Sequence, residues 1–120
     1  LMLNDLPEVW MRGPVEGYAA ELQPVAHALL QVREEVEAHA GDLSPEQVWA
    51  RPAGVASIGF HLRHLAGSLD RLLTYARGEQ LSPEQMAFLK TEALPGDPLP
   101  NAADTIRIAV DGIDRALAQV

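Results

Sequence analysis

The sequence predicts an all-α, up-down helical bundle, and three observations carry that reading. Apolar residues recur at spacings of three and four through three long segments, two short segments open with one shared helix-start signal, and no stretch alternates apolar with polar residues. Each amphipathic stripe needs partners to bury it, so long helices without strands imply a bundle. With 120 residues, 48% of them hydrophobic, the chain is expected to form a single domain over residues 1–120 around one core.

Residues 1–16 read as an irregular N-terminal arm, because Pro7, Gly13 and Pro14 break any long helix; Trp10 is its expected packing anchor on the body. From about Gly17 to Ala40 the residues Leu22, Val25, Ala26, Leu29, Val32 and Val36 share one helical stripe. Pro24 is tolerable there only if the regular helix begins close to it. After Gly41 and Asp42 comes Leu43-Ser-Pro-Glu-Gln-Val48, which returns as Leu81-Ser-Pro-Glu-Gln-Met86. The likeness ends with the five shared letters, so it marks two helix starts and not a duplication. Ser44 and Ser82 can accept from the amide three residues on, while Gln47 and Gln85 reach back to the serine amide. Pro45 and Pro83 stand where a missing N–H costs nothing.

RPAGVAS (51–57) is then a loop, followed by the strongest helix, from near Ser57 to Arg77 with Gly78 as a left-handed stop. Its stripe is Ile58, Leu62, Leu65, Leu69, Leu72 and Ala76. ALPGDPLPN (93–101) carries three prolines and must be an extended connection. Asn101 caps a last helix with Ile106, Val110, Ile113 and Leu117 on one face, still periodic at Val120. The expectation is three long helices and two short ones, with a fourth long helix missing or supplied beyond residue 120.

Nine basic residues scattered among seventeen acidic ones, a net charge of −8, argue against a nucleic-acid partner. No apolar run is long enough for a membrane span and no secretory leader is evident, so a cytoplasmic location is expected. Without cysteine, any metal site must be built on histidine and carboxylates. No phosphate loop or nucleophile elbow occurs.

The chemistry that remains is in His61-Leu-Arg-His64, where two imidazoles three residues apart on a helix are close enough to serve one metal. The competing reading is a pair of structural or solvated histidines. On the helical wheel His61 flanks the apolar stripe, and His64 lies further round beside Ser68, Arg71 and Tyr75. Arg71 and Tyr75 could orient an anionic substrate, although an arginine at such a border also reads as a snorkelling surface residue. His27 and His39 read as solvated, with His27 able to turn toward the second long helix. Asp70 lies opposite and is no ligand, and Trp49 reads as a packing anchor.

Trp49-Ala-Arg-Pro52, the loop, and Ser57-Ile-Gly-Phe-His-Leu-Arg-His64-Leu-Ala-Gly-Ser-Leu-Asp-Arg-Leu72 together resemble the DinB-like superfamily of bacterial four-helix bundles. The resemblance spans about residues 20–120, with its specific part in 49–72. It implies that His64 falls on a metal-ligand histidine, with His61 as a neighbour or second ligand, and that the cofactor is a divalent metal, nickel or zinc. It also implies homodimers, and a metal-dependent thiol transferase or hydrolase acting on a small molecule or thiol. Two further family histidines, spaced H-x-x-x-H on a later helix, are not in this sequence, which has no histidine after His64. The site is therefore incomplete in this chain. The alternative function is a non-catalytic bundle that dimerises as an interaction module without metal.

Overall fold

Ser44, Ser57, Ser82 and Asn101 each adopt extended backbone, and each side-chain oxygen accepts from the amide of the residue three positions later. Those four caps set the starts of four of the five helices in the computed structural model, which describes residues 5–120. The helices are α1 (Gln23–Ala40), α2 (Pro45–Trp49), α3 (Ile58–Ala76), α4 (Pro83–Thr91) and α5 (Ala102–Gln119). Both Leu-Ser-Pro-Glu-Gln motifs close full capping boxes, at α2 and at α4. No strand occurs among the described residues, and the fold class is all-α as the periodicity implied.

α1 starts at Gln23 and not near Gly17, with Ala20–Leu22 in a short 3-10 turn before it. Pro24 has no amide to donate and is therefore held in the first turn. Gly78, at φ +76°, stops α3 in the left-handed region, and the Glu79 amide donates back to the Thr74 carbonyl at 3.1 Å.

α5 lies between the other two long helices, packing against α3 on one side and α1 on the other, in a body of 44 × 42 × 23 Å. The α3–α5 contact is made by small residues. A Cβ on Gly112 would lie 2.7 Å from the Ala66 Cβ, so the helices approach as closely as glycine permits. Ala66, Ala102, Thr105, Ala109, Gly112, Ile113 and Ala116 are buried, whereas Ile106, Val110 and Leu117 are only half-buried. Arg33 reaches from α1 to Asp114 on α5 at 3.4 Å.

The α3 stripe is where expectation and structure part. Leu62 is buried, but Ile58 and Leu72 are 43% and 63% exposed, and the buried set is Gly59, Leu62, Ala66, Gly67, Arg71 and Thr74. The helix is rotated by roughly 130°, more than a third of a turn, from the face its large apolar residues define. Close packing on α5 and α4 selects the small residues, and that choice turns the large ones outward.

Trp49 joins three elements. With Val48 and Ala102 it forms a buried cluster against Leu43 and Ile106, and its indole N–H donates to the Pro100 carbonyl at 3.0 Å. Gly59 leaves space for the ring, since a Cβ there would lie 2.7 Å from it. Trp49 is the expected anchor; Trp10 is not. Trp10 is 53% exposed, and the arm is held by its neighbours. Buried Val9 donates its amide to Gln31 at 2.9 Å, and Arg12 forms a two-toothed pair with Glu34 at 2.7 and 2.8 Å. The arm thus lies against the body, and its residues 1–4 fall outside the described residues.

Candidate functional site

The site forms where the end of α4 crosses α3. α4 has a weak apolar face and no buried residue of its own, so polar ties hold it in place. At its start the Gln85 side-chain Nε2 donates to Asp70 Oδ2 and Thr74 Oγ1, both at 2.8 Å. At its end Arg63 donates to the carbonyls of Leu94 at 3.1 Å and Thr91 at 3.4 Å, supplying donors to carbonyls that a helix terminus leaves free. The same guanidinium lies over the Trp49 ring at 4.6 Å, and burial pulls it down from the ordinary arginine range.

Between these ties, directly after α4, Glu92 points into the protein and is 2% exposed. Its Oε1 accepts from Arg71 Nη1 at 2.6 Å and its Oε2 meets His64 Nδ1 at 2.8 Å. A buried carboxylate needs such partners, since removing one from an enclosed pair costs about 3–5 kcal/mol. Gly67 makes the space for it: a Cβ at that position would collide with Glu92 Oε1 and come within 2.7 Å of Arg71 Nη1. Phe60 stacks on the His64 ring with centroids 5.2 Å apart, and meets His61 edge-on at 5.4 Å.

His64 is thus fixed on one nitrogen and one ring face, and its side chain is still 46% exposed. Its Nε2 makes no hydrogen bond among the described residues. His61 packs on the same phenyl ring and is exposed. Arg71 corrects the expectation of a surface border residue: it is buried, because the rotation of α3 turns it inward to Glu92. Tyr75 is 56% exposed, and its hydroxyl makes no hydrogen bond to the cluster among the described residues. His27 belongs elsewhere, its Nε2 lying 3.0 Å from the Gly13 carbonyl, where it ties the arm to α1. His39 is exposed, and Asp70 pairs with Gln85.

Two clefts flank the cluster. One of about 230 Å³ is lined by Gly67, Asp70, Arg71, Gln85, Phe88 and Arg115. The other, about 330 Å³, opens on the Phe60 side, among Arg51, Ala56, Ser57, Ala93 and Leu94. Among the described residues no three His, Asp or Glu side chains converge as a metal-ligand group. One donor of the cluster, His64 Nε2, is left open. A neutral imidazole with one nitrogen held by a carboxylate and the other open is the arrangement of a metal-binding histidine.

Sequence reasoning missed Glu92, Phe60 and Arg63. Nothing in Thr-Glu-Ala-Leu distinguishes Glu92 from the solvated glutamates of α1. Gly67 was the legible signal, since a glycine inside a helix costs about 1 kcal/mol against alanine and so marks a close approach.

Fold and cluster define a helical bundle with a histidine presented at its surface by a buried carboxylate and arginine. The sequence pattern of the DinB superfamily matches residues 28–120, and the chain belongs to that superfamily. It is a superfamily of helical proteins associated with metal-dependent chemistry. No curated protein and no solved structure matches the chain.

Proposed function

We propose that this protein is a metal-binding DinB-superfamily bundle in which His64 ligates a divalent metal, nickel or zinc, through Nε2. In this reading it serves a thiol transferase or hydrolase activity on a small molecule. The observation that supports it is the one-sided fixing of His64: Nδ1 is engaged by Glu92 at 2.8 Å while the rest of the ring remains accessible. When bound, such a metal acts as a Lewis acid and makes a water or thiol nucleophile available at neutral pH. The chain's own residues position and shield. Phe60 covers one face of the imidazole, His61 stands beside it as neighbour or second ligand, and the cleft by Arg51 and Leu94 offers room for the apolar part of a substrate.

Elemental analysis of protein purified without chelator or histidine tag tests this. Bound divalent metal that disappears in His64→Ala, with the helical spectrum retained, is the expected result; metal retained in that variant refutes the assignment. In this reading residues 1–120 form a single domain, with the arm packed on α1.

A second reading, a dimerising interaction module that works without metal, is favoured by the outward face of α3, where Ile58, Leu72 and Tyr75 are 43%, 63% and 56% exposed. Light scattering separates the two in part: a strict monomer rules out the module, while a dimer with no metal favours it.

A further inference from the structure

We infer that Glu92, held by Arg71, is a positioning residue that fixes the tautomer of His64, placing the proton on Nδ1 and the lone pair on Nε2. This deepens the metal-ligand reading above and rests on it for its purpose, though not for its geometry. The argument is one of donors and acceptors. Arg71 can only donate, and its Nη1 takes Glu92 Oε1 at 2.6 Å. The carboxylate so engaged is an acceptor at its other oxygen as well, and that oxygen faces His64 Nδ1 at 2.8 Å. A nitrogen facing an acceptor at that distance must carry the proton, so in the neutral ring Nε2 carries the free pair.

The surroundings leave Glu92 no second arrangement. It is 2% exposed, the Arg71 side chain is 10% exposed, and Gly67 opens only the space the carboxylate fills. Phe60, stacked 5.2 Å from His64, opposes a flip of the ring. Arg71, Glu92 and His64 thus form a relay of fixed polarity running from the interior to the surface.

Glu92→Gln tests the relay because it keeps shape and reverses polarity. The glutamine oxygen must still accept from Arg71, which turns the amide NH₂ toward His64. Nδ1 must then accept, and the ring proton moves to Nε2. Long-range ¹H–¹⁵N spectra of the neutral His64 ring should show the Nδ1–H tautomer in the natural protein and the Nε2–H tautomer in Glu92→Gln. Titration with Zn²⁺ alone should show affinity lower by about 10–100-fold in the variant. An Nε2–H ring in the natural protein overturns the inference, and needs no variant to fold. An unchanged tautomer in a folded Glu92→Gln protein overturns it too. If the tautomer switches but neither protein binds Zn²⁺, the positioning role stands and the metal reading falls.

Discussion

Replacing Gly67 with alanine tests whether the carboxylate beneath His64 also sets how closely α4 can approach α3. The new Cβ would collide with Glu92 Oε1 and lie 2.7 Å from Arg71 Nη1 and 2.9 Å from the Phe88 ring. Glu92 cannot step aside, because both its oxygens are bonded and it is buried. Alanine gains about 1 kcal/mol over glycine inside a helix. Separating a buried ion pair costs about 3–5 kcal/mol. The difference is a net loss of about 2–4 kcal/mol, or about 8–16 °C in Tm at roughly 4 °C per kcal/mol. Urea denaturation followed by circular dichroism measures it. In a Glu92→Ala background the collision with the carboxylate disappears and only the ends of the Arg71 and Phe88 side chains remain in the way, so Gly67→Ala should there cost clearly less than in the parent. If Gly67→Ala is as stable as the parent, the carboxylate does not occupy the space assigned to it.

Other expectations follow from the same geometry. Gly112→Ala should force α3 and α5 apart at Ala66 and cost about 1–3 kcal/mol in the same assay; an unchanged midpoint would show that the close contact is not tight. Trp49→Phe removes the bond to the Pro100 carbonyl and weakens the stack with Arg63, for a loss of about 1–2 kcal/mol in denaturation. The Arg12 guanidinium holds the Glu34 carboxyl below the usual carboxylate range, so the pair's contribution is complete above that range and is lost as pH falls through the lowered value. Backbone exchange in the arm, corrected for intrinsic rate, should therefore speed up at about pH 3 relative to pH 7, and Arg12→Gln should abolish the difference. His64→Ala should cost about 1–3 kcal/mol through the lost polar contact to Glu92, and on the proposed reading should abolish metal binding as read by elemental analysis.

The helices were legible where the signal is local. Ser44, Ser57, Ser82, Asn101 and Gly78 each act on atoms within a few residues, and each does in the structure what its letter implies. The orientation of α3 was not legible, because hydrophobic periodicity weights large residues and this interface is made by Ala66, Gly67 and Gly112. Arg71 was misplaced for the same reason: its burial depends on Glu92, twenty-one residues away on another element. His64 could be singled out from the sequence by its setting in the Ser57–Leu72 run. What engages its Nδ1 could not, since that contact spans twenty-eight residues.

The capping box at Ser82 also acts as the zero mark of a ruler. It fixes where α4 begins, and Glu92 lies ten residues along from it. Adding or deleting one residue within α4 would turn Glu92 by roughly 100° about the helix axis and carry its carboxylate away from both partners. The turn from Gly78 to Leu81 lies ahead of the mark, and most of its residues are exposed, so length changes there leave the count intact. The segment is thus divided into a stretch open to insertion and a stretch of fixed length, with the boundary at a single serine.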